Sequence, residues 1–175
     1  MSETIDVRML LTPDQFDLVV HTVQDNNPGM AQELAERIVT DALKFVATAR
    51  TFPKVPITPS NVVDEGWHAL ILHTSTYAEL CGRLGGFVHH YPERPDPYRH
   101  DEGVLLRTVA LIEEAGYTAD RELWLSPTRD LVAVAAQCSH TPVPGGCGPI
   151  NPGACASHCS GGGGEGGGSG ATQGM

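Results

Sequence analysis

The chain has 175 residues and a formal net charge of −10, from 11 Lys plus Arg against 21 Asp plus Glu. This charge repels phosphate backbones and anionic membrane surfaces, so we expect neither nucleic acid nor a membrane as a partner. No stretch approaches the roughly 18 consecutive apolar residues of a membrane span, and the N-terminal region has no cationic segment followed by an apolar run. We therefore predict a soluble, cytoplasmic protein.

Composition divides the chain near residue 138. Residues 1–138 contain closely spaced large apolar side chains, which suffice for one hydrophobic core without disulfides. Residues 139–175 hold most of the glycines and almost no large apolar residue, so burial cannot offset their conformational entropy. We predict one folded domain over residues 1–138, followed by a disordered Gly/Cys-rich tail over residues 139–175.

Helix-start and helix-stop signals follow one another along the domain. Thr12-Pro13-Asp14-Gln15 combines an N-cap, a proline at the first helical position and a capping-box glutamine, which predicts a first helix from about 13 to 24. A break at residues 26–29 precedes a second helix that ends near Arg50. Thr58-Pro59 repeats the start signal, and the proline-free run 60–83 predicts a third, central helix. Gly66 inside this helix suggests the close approach of another segment.

The remaining domain continues the helical pattern. A fourth helix is predicted from about residue 101 to Glu114, with Gly116 as its stop, and a short final helix over residues 129–137. No segment of the domain alternates apolar and polar residues over the length of a strand. We therefore predict an all-α fold, a small bundle of about four to five helices.

The chemistry of the domain is concentrated between Asp64 and His90, where four histidines accompany three carboxylates. At 100° per residue, one stripe of the third helix carries Asp64, His68, Ser75 and Glu79. The neighbouring face is predicted to enter the core, and it carries Trp67, Leu70, Thr74, Ala78 and Cys81. Cys81 is therefore expected to be a buried small residue and not a ligand.

The Asp64 and His68 pair has the spacing at which two side chains on adjacent helical turns can bind one ion. A transition metal needs at least a third protein ligand, which His89 or His90 could supply after the Gly85-Gly86 turn. We therefore predict a divalent-metal site formed by Asp64, His68 and the His89/His90 pair, with zinc, iron or manganese as the ion. His73 lies off the stripe.

The same residues allow two readings without a metal. Asp64 and His68 can form an ordinary ion pair within a helix. Alternatively, Asp64 can orient His68 as a general base, although no convincing nucleophile accompanies the pair. The sequence therefore indicates a site with a binding or structural role and assigns no reaction to it.

The segment Val63-Asp64-Glu65-Gly66-Trp67-His68, with Tyr77, Cys81 and Gly86-Phe87-Val88-His89-His90, resembles the glycine-rich domain-containing protein family, more closely its small bacterial members. The similarity covers about residues 58–92, and the Cys- and Gly-rich tail extends it. The resemblance implies a helical domain whose Asp-x-x-x-His and His-His elements cluster in space. It brings no established reaction.

The tail supports a second hypothesis of a different class. Cysteine and histidine side chains there could take up a metal, although the spacing matches no zinc finger or ribbon: Cys138, His140, Cys147, Cys155, His158 and Cys159. In this hypothesis the chain is a precursor or interaction protein, and its helical domain presents the tail for modification, cleavage or metal capture. The partner would then be another protein or a modifying enzyme. The sequence leaves the oligomeric state open.

Overall fold

The computed structural model describes residues 6–92, 102–126 and 138–139. These residues fold as a helical bundle, which confirms the predicted all-α class. The elements are a 3-10 helix at Val7–Leu10, α1 (Pro13–Asn26), α2 (Gln32–Thr51), α3 (Asn61–Leu72), α4 (Thr74–Arg83), β1 (Tyr91–Pro92), α5 (Glu102–Glu114), α6 (Arg121–Leu125) and β2 (Cys138–Ser139). The predicted helix at 129–137 and the tail beyond residue 139 lie outside the described residues.

The first helix begins as its sequence predicts. The backbone N–H of Gln15 donates to Thr12 Oγ1 over 3.2 Å, and the Thr12 N–H donates to Gln15 Oε1 over 3.1 Å. Each bond satisfies an amide that has no partner inside the helix. The apolar face of α1 then enters the core through Phe16, Val19, Val20 and Val23.

The second helix forms the centre of the bundle, and α3 packs closely against it. A Cβ added at Gly66 would lie 2.9 Å from the carbonyl oxygen of Ile38 and 3.0 Å from the Cβ of Ala42. Only a residue without a side chain allows the two helices to approach this far. The close contact expected at Gly66 is therefore confirmed, and α2 is the element that makes it.

The third predicted helix is not continuous. It is divided at His73, whose φ of −84° and ψ of 70° end α3 and begin α4. His73 Nε2 lies 2.8 Å from Thr22 Oγ1 of α1, so a tertiary contact holds the break. Because α4 is a separate helix, the stripe and the core face do not extend across it, and Thr74 and Ala78 are exposed although they were expected in the core.

A glycine turn reverses the chain after α4. Gly85 adopts a φ of +79°, and the Gly86 N–H donates to the carbonyl of Cys81 over 3.0 Å, as in a Schellman cap. Residues 87–92 are extended and return past α3, with Val88 buried in the core. This reversal carries His90 back to the helix from which the chain came.

The rest of the described chain closes the bundle. α5 ends at a second glycine cap, Gly116 with a φ of +93°, as the sequence predicts. The short helix α6 was not predicted, and it buries Leu123 and Trp124. β1 and β2 are two residues each and pair antiparallel. Among the described helices, none combines the length and apolar character that crossing a bilayer would need.

Candidate metal centre

Asp64 is the most constrained polar side chain of the site. It lies in the first turn of α3, where Ser60 caps the helix, and its side chain is only 1% exposed. Neither carboxylate oxygen accepts a hydrogen bond within the described part of the chain. A buried carboxylate without hydrogen-bond donors is costly, and a cation beside it would offset that cost.

Two imidazoles face this carboxylate. His68, one turn further along α3, places Nδ1 3.5 Å from Asp64 Oδ2, and His90 places Nε2 3.4 Å from Asp64 Oδ1. One potential ligand atom of each residue lies within 4.8 Å of the others. Three residues from α3 and the extended return segment thus come together, as the sequence predicted for Asp64, His68 and one histidine of the 89/90 pair.

The separations fit a shared ion better than direct hydrogen bonds. Distances of 3.4 Å and 3.5 Å exceed the usual range for an N–H to oxygen bond. Two ligands bound to one divalent ion at about 2.1 Å lie about 3.0–3.4 Å apart, depending on whether the ion is octahedral or tetrahedral. The two distances end on different oxygens of the Asp64 carboxylate and are close to this range, so an ion fits between the three side chains.

Aromatic contacts fix the position of His90. Its ring meets Trp67 edge-on with centroids 4.4 Å apart and His68 with centroids 4.5 Å apart. Trp67 Nε1 donates to the hydroxyl of Tyr77 over 3.0 Å, and that hydroxyl donates to the Val88 carbonyl over 2.6 Å. The relay Trp67–Tyr77–Val88 ties α3, α4 and the return segment together two residues before His90.

Cys81, the only cysteine within residues 6–92, lies next to Tyr77 and Val88 of this relay. Cys81 is buried, as predicted, and its free thiol has a pKa raised by burial. Burial likewise raises the pKa of Tyr77 far above its ordinary value. Both groups therefore stay protonated at neutral pH, where Tyr77 acts as a neutral donor and Cys81 as a small core side chain.

The other predicted polar residues lie elsewhere. His89 is not in the three-residue cluster, and its ring is 4.8 Å from the Phe87 ring between centroids. His73 contacts Thr22, in agreement with its placement off the stripe. Glu79 is exposed and accepts a hydrogen bond from Gln15 over 3.0 Å. The break at His73 is the reason that Glu79 leaves the stripe.

Two features of the site were missed by the sequence reasoning. Glu65 is buried and accepts hydrogen bonds from Asn26 and Asn27, which joins α3 to the end of α1. The Trp67–Tyr77–Val88 relay was also not foreseen, because nothing in the spacing shows that a helix break will turn Tyr77 toward Trp67. The aromatic character of both residues was the only signal available.

The family comparison adds a finding that concerns most of the domain. A family described as UCP032817-like matches residues 9–108. The chain belongs to this family. The resemblance to the glycine-rich domain-containing family is therefore wrong: it relied on a short motif and on tail composition, whereas the match runs from α1 into α5 and stops before the tail. No curated protein and no solved structure matches the chain.

The matched segment of this UCP032817-like protein contains all three members of the cluster, Asp64, His68 and His90. It also contains the Trp67–Tyr77–Val88 relay that positions the third. The family description states no reaction, so the chemistry of the site has to be argued from its geometry.

Proposed function

We propose that this protein binds one divalent metal ion, with zinc, iron and manganese as the candidates, through Asp64, His68 and His90. The observation that carries the proposal is the buried Asp64 carboxylate, whose two oxygens lack hydrogen-bond donors and each face an imidazole nitrogen, at 3.5 Å and 3.4 Å. A cation between the three groups would satisfy all of them at once.

The donor set supports a divalent transition metal. Imidazole and carboxylate are both common zinc ligands, and two histidines with one carboxylate are also the set that binds iron(II) in non-haem sites. The net charge of −10 also favours a cation over an anion as the ligand.

The proposed role is binding or structural. Three protein ligands leave at least one coordination position open, and His68 is the most exposed of the three, at 30% of its side chain. The ion would join α3 to the segment that returns after α4. It would therefore hold together two parts of the fold that are otherwise joined through the Trp67–Tyr77–Val88 relay.

Zinc titration of the full-length chain by calorimetry tests the proposal. The wild-type protein should bind one equivalent, and single alanine replacements at Asp64, His68 and His90 should each abolish that binding while circular dichroism shows retained helix. His89→Ala is the matched control, because His89 is the adjacent histidine and lies outside the cluster. It should bind zinc like the wild type.

Two results would contradict the proposal. Wild-type protein that takes up no stoichiometric zinc, iron or manganese would leave Asp64 and His68 as an ordinary ion pair. If His89→Ala loses zinc binding and His90→Ala keeps it, the third ligand is His89 and the proposed assignment to His90 is wrong.

A further inference from the structure

Two consecutive glycines, Gly85 and Gly86, reverse the chain after α4. The cap of α4 holds their N–H groups: Gly85 donates to the Gly82 carbonyl over 3.1 Å, and Gly86 donates to the Cys81 carbonyl over 3.0 Å. These bonds fix the entry to the turn. Glycine has the greatest backbone freedom of any residue, so the path by which the chain leaves the turn needs a contact from outside α4.

Arg50, in the last turn of α2, makes such a contact. Its Nη2 donates to the Gly85 carbonyl over 2.7 Å, which fixes the orientation of the peptide plane between the two glycines. The guanidinium also lies against Gly86, where an added Cβ would be 2.6 Å from Arg50 Nε and 2.9 Å from Arg50 Cζ. A side chain at position 86 and the guanidinium therefore cannot occupy this space together.

The space taken by Arg50 is the reason that glycine stands at position 86. The described glycines with a positive φ are Gly29, Gly85 and Gly116, so the backbone of Gly86 does not itself require glycine. The three atoms nearest to an added Cβ at this position all belong to the Arg50 guanidinium. Arg50 and Gly86 are thus matched in shape.

The contact with the turn, and not a carboxylate, holds the guanidinium in place. None of the ion pairs among the described residues involves Arg50. Its Nε is buried and has no hydrogen-bond acceptor in the same part of the chain. A positive charge is favourable in the last turn of α2, but this accounts for the charge and not for the contact with Gly85.

The turn leads to His90 within four residues. Between them, Val88 is held by the Tyr77 hydroxyl over 2.6 Å, from the side of α4. Arg50 holds the beginning of the same segment from the side of α2. Because adjacent side chains of an extended segment point to opposite sides, a change in the path of the turn alters where position 90 meets α3.

We propose that Arg50 is a positioning residue of the metal centre: it fixes the glycine turn and thereby places His90 opposite Asp64. This inference rests on the metal centre proposed above. The three residues of the cluster come from α3 and the return segment, so α2 supplies none of them. The second helix would nevertheless control the metal affinity through this one contact.

Cobalt(II) titration of the full-length chain tests the proposal, because the visible absorption of cobalt depends on its coordination geometry. The absorption that His90→Ala abolishes belongs to the centre. Arg50→Ala should bind cobalt there about tenfold more weakly, the lower end of the loss when a group that orients a metal ligand is removed, and should alter the band shape. Arg83→Ala is the matched control, since Arg83 donates to the Leu10 carbonyl and not to the turn. It should match the wild type.

The shape match of Arg50 with Gly86 provides a double-mutant cycle. Gly86→Ala should displace the guanidinium and weaken cobalt binding by a similar factor. In the Arg50→Ala background the same substitution should have little further effect, because the group that the methyl would meet is gone. Gly82→Ala, whose methyl meets nothing within 4 Å, is the control and should bind cobalt like the wild type. Circular dichroism checks that each variant retains its helices.

The results distinguish this proposal from the metal centre on which it rests. Identical titrations of the wild type and His90→Ala would refute the metal centre itself. If the wild type binds cobalt at the centre, an unchanged affinity or an unchanged band shape in Arg50→Ala would refute the positioning role alone. Equal losses on Gly86→Ala in both backgrounds would also refute it. Should Arg50→Ala fail to fold, equal affinities of Gly86→Ala and Gly82→Ala would overturn the proposal.

Discussion

The Asp64 carboxylate determines which kind of ligand the site can bind. Its carboxylate is buried, lacks hydrogen-bond donors within the described residues and faces two imidazoles. A lone buried charge would oppose folding, whereas a charge that binds a cation stabilises the folded state by the free energy of binding. The stability of the protein should therefore depend on metal in a way that requires this one side chain.

Asp64→Asn should separate the cost of burying the carboxylate from the stabilisation by a bound cation. With zinc at about one hundred times its dissociation constant, the wild type should gain about 2.7 kcal/mol in the free energy of unfolding, and the variant should gain nothing. In chelator the variant should be at least as stable as the wild type, because a buried charge has been removed. Urea unfolding with zinc and in chelator measures the free energy of unfolding of both proteins under each condition. Equal zinc stabilisation of the two proteins would contradict the role of Asp64.

Tyr77→Phe tests the relay that positions His90. Removing the hydroxyl leaves the Trp67 N–H and the Val88 carbonyl without a partner in the core, which should cost about 1–3 kcal/mol. Zinc affinity should also fall, because Val88 lies two residues before His90. Tyr117→Phe is the control, since Tyr117 is only half-buried. The stability and the zinc affinity of both variants are measured by unfolding and by zinc titration. Equal losses of zinc affinity in Tyr77→Phe and Tyr117→Phe would exclude a positioning role for Tyr77.

At this scale the sequence predicted which residues come together but could not choose between the adjacent histidines. Asp64 and His68 were predictable because a helix fixes the relation between residues four apart. His89 and His90 follow a glycine turn in an extended segment, where neighbouring side chains point to opposite sides. Which of them meets α3 depends on the path of the turn, and helical periodicity carries no information about that path.

Between elements, the contact of α2 and α3 depends on Gly66. Gly66→Ala should destabilise the fold by about 1–3 kcal/mol, because a methyl group would meet the Ile38 carbonyl at 2.9 Å and the gain of up to about 1 kcal/mol in helix propensity cannot offset the clash. Gly82→Ala in α4 meets nothing within 4 Å and should instead stabilise the protein. A higher melting temperature for Gly66→Ala than for Gly82→Ala would contradict the close contact of α2 with α3.

The contact of α2 with α6 should respond to acid. Arg37 Nε donates to Asp120 Oδ2 over 2.7 Å, and this hydrogen bond holds the pKa of Asp120 below its ordinary value of 3.8. The stabilisation is complete above pH 3.8 and is lost as the pH falls through the lowered pKa. Asp120→Asn should therefore differ from the wild type at neutral pH and approach it in acid.

Melting temperatures across the pH range measure this difference, with Glu113→Gln as the control. Glu113 forms an exposed pair with Arg121 over 3.5 Å, and such pairs contribute little. A difference between wild type and Asp120→Asn that grows on acidification would have the wrong sign for the proposed ion pair.

The elements differ in how far their sequence determines them. The start of α1 and the stop of α5 were predictable because the capping box and the glycine at Gly116 act locally. The break at His73 was not, since no glycine or proline marks it and its His73 to Thr22 contact joins residues 51 apart in sequence. The five residues of α6 are too few to show a helical period.

For the whole molecule, the domain boundary stays a prediction. Removal of residues 140–175 should leave the melting temperature of the metal-free protein nearly unchanged, because these residues have almost no large apolar side chain to bury. Since Asp64, His68 and His90 are all retained, the stabilisation by zinc should also be unchanged. A large drop without metal would mean that the tail packs on the helices, and a drop seen only with zinc would place the ligands in the tail.

The proposed metal centre places one ion between Asp64, His68 and His90. Anomalous diffraction from zinc-loaded crystals, recorded on both sides of the zinc absorption edge, tests it most directly. One strong peak should lie about 2.1 Å from an Asp64 oxygen and from one ring nitrogen of each histidine. Direct hydrogen bonds between Asp64 and the two imidazoles, with no peak between them, would contradict the proposed metal centre.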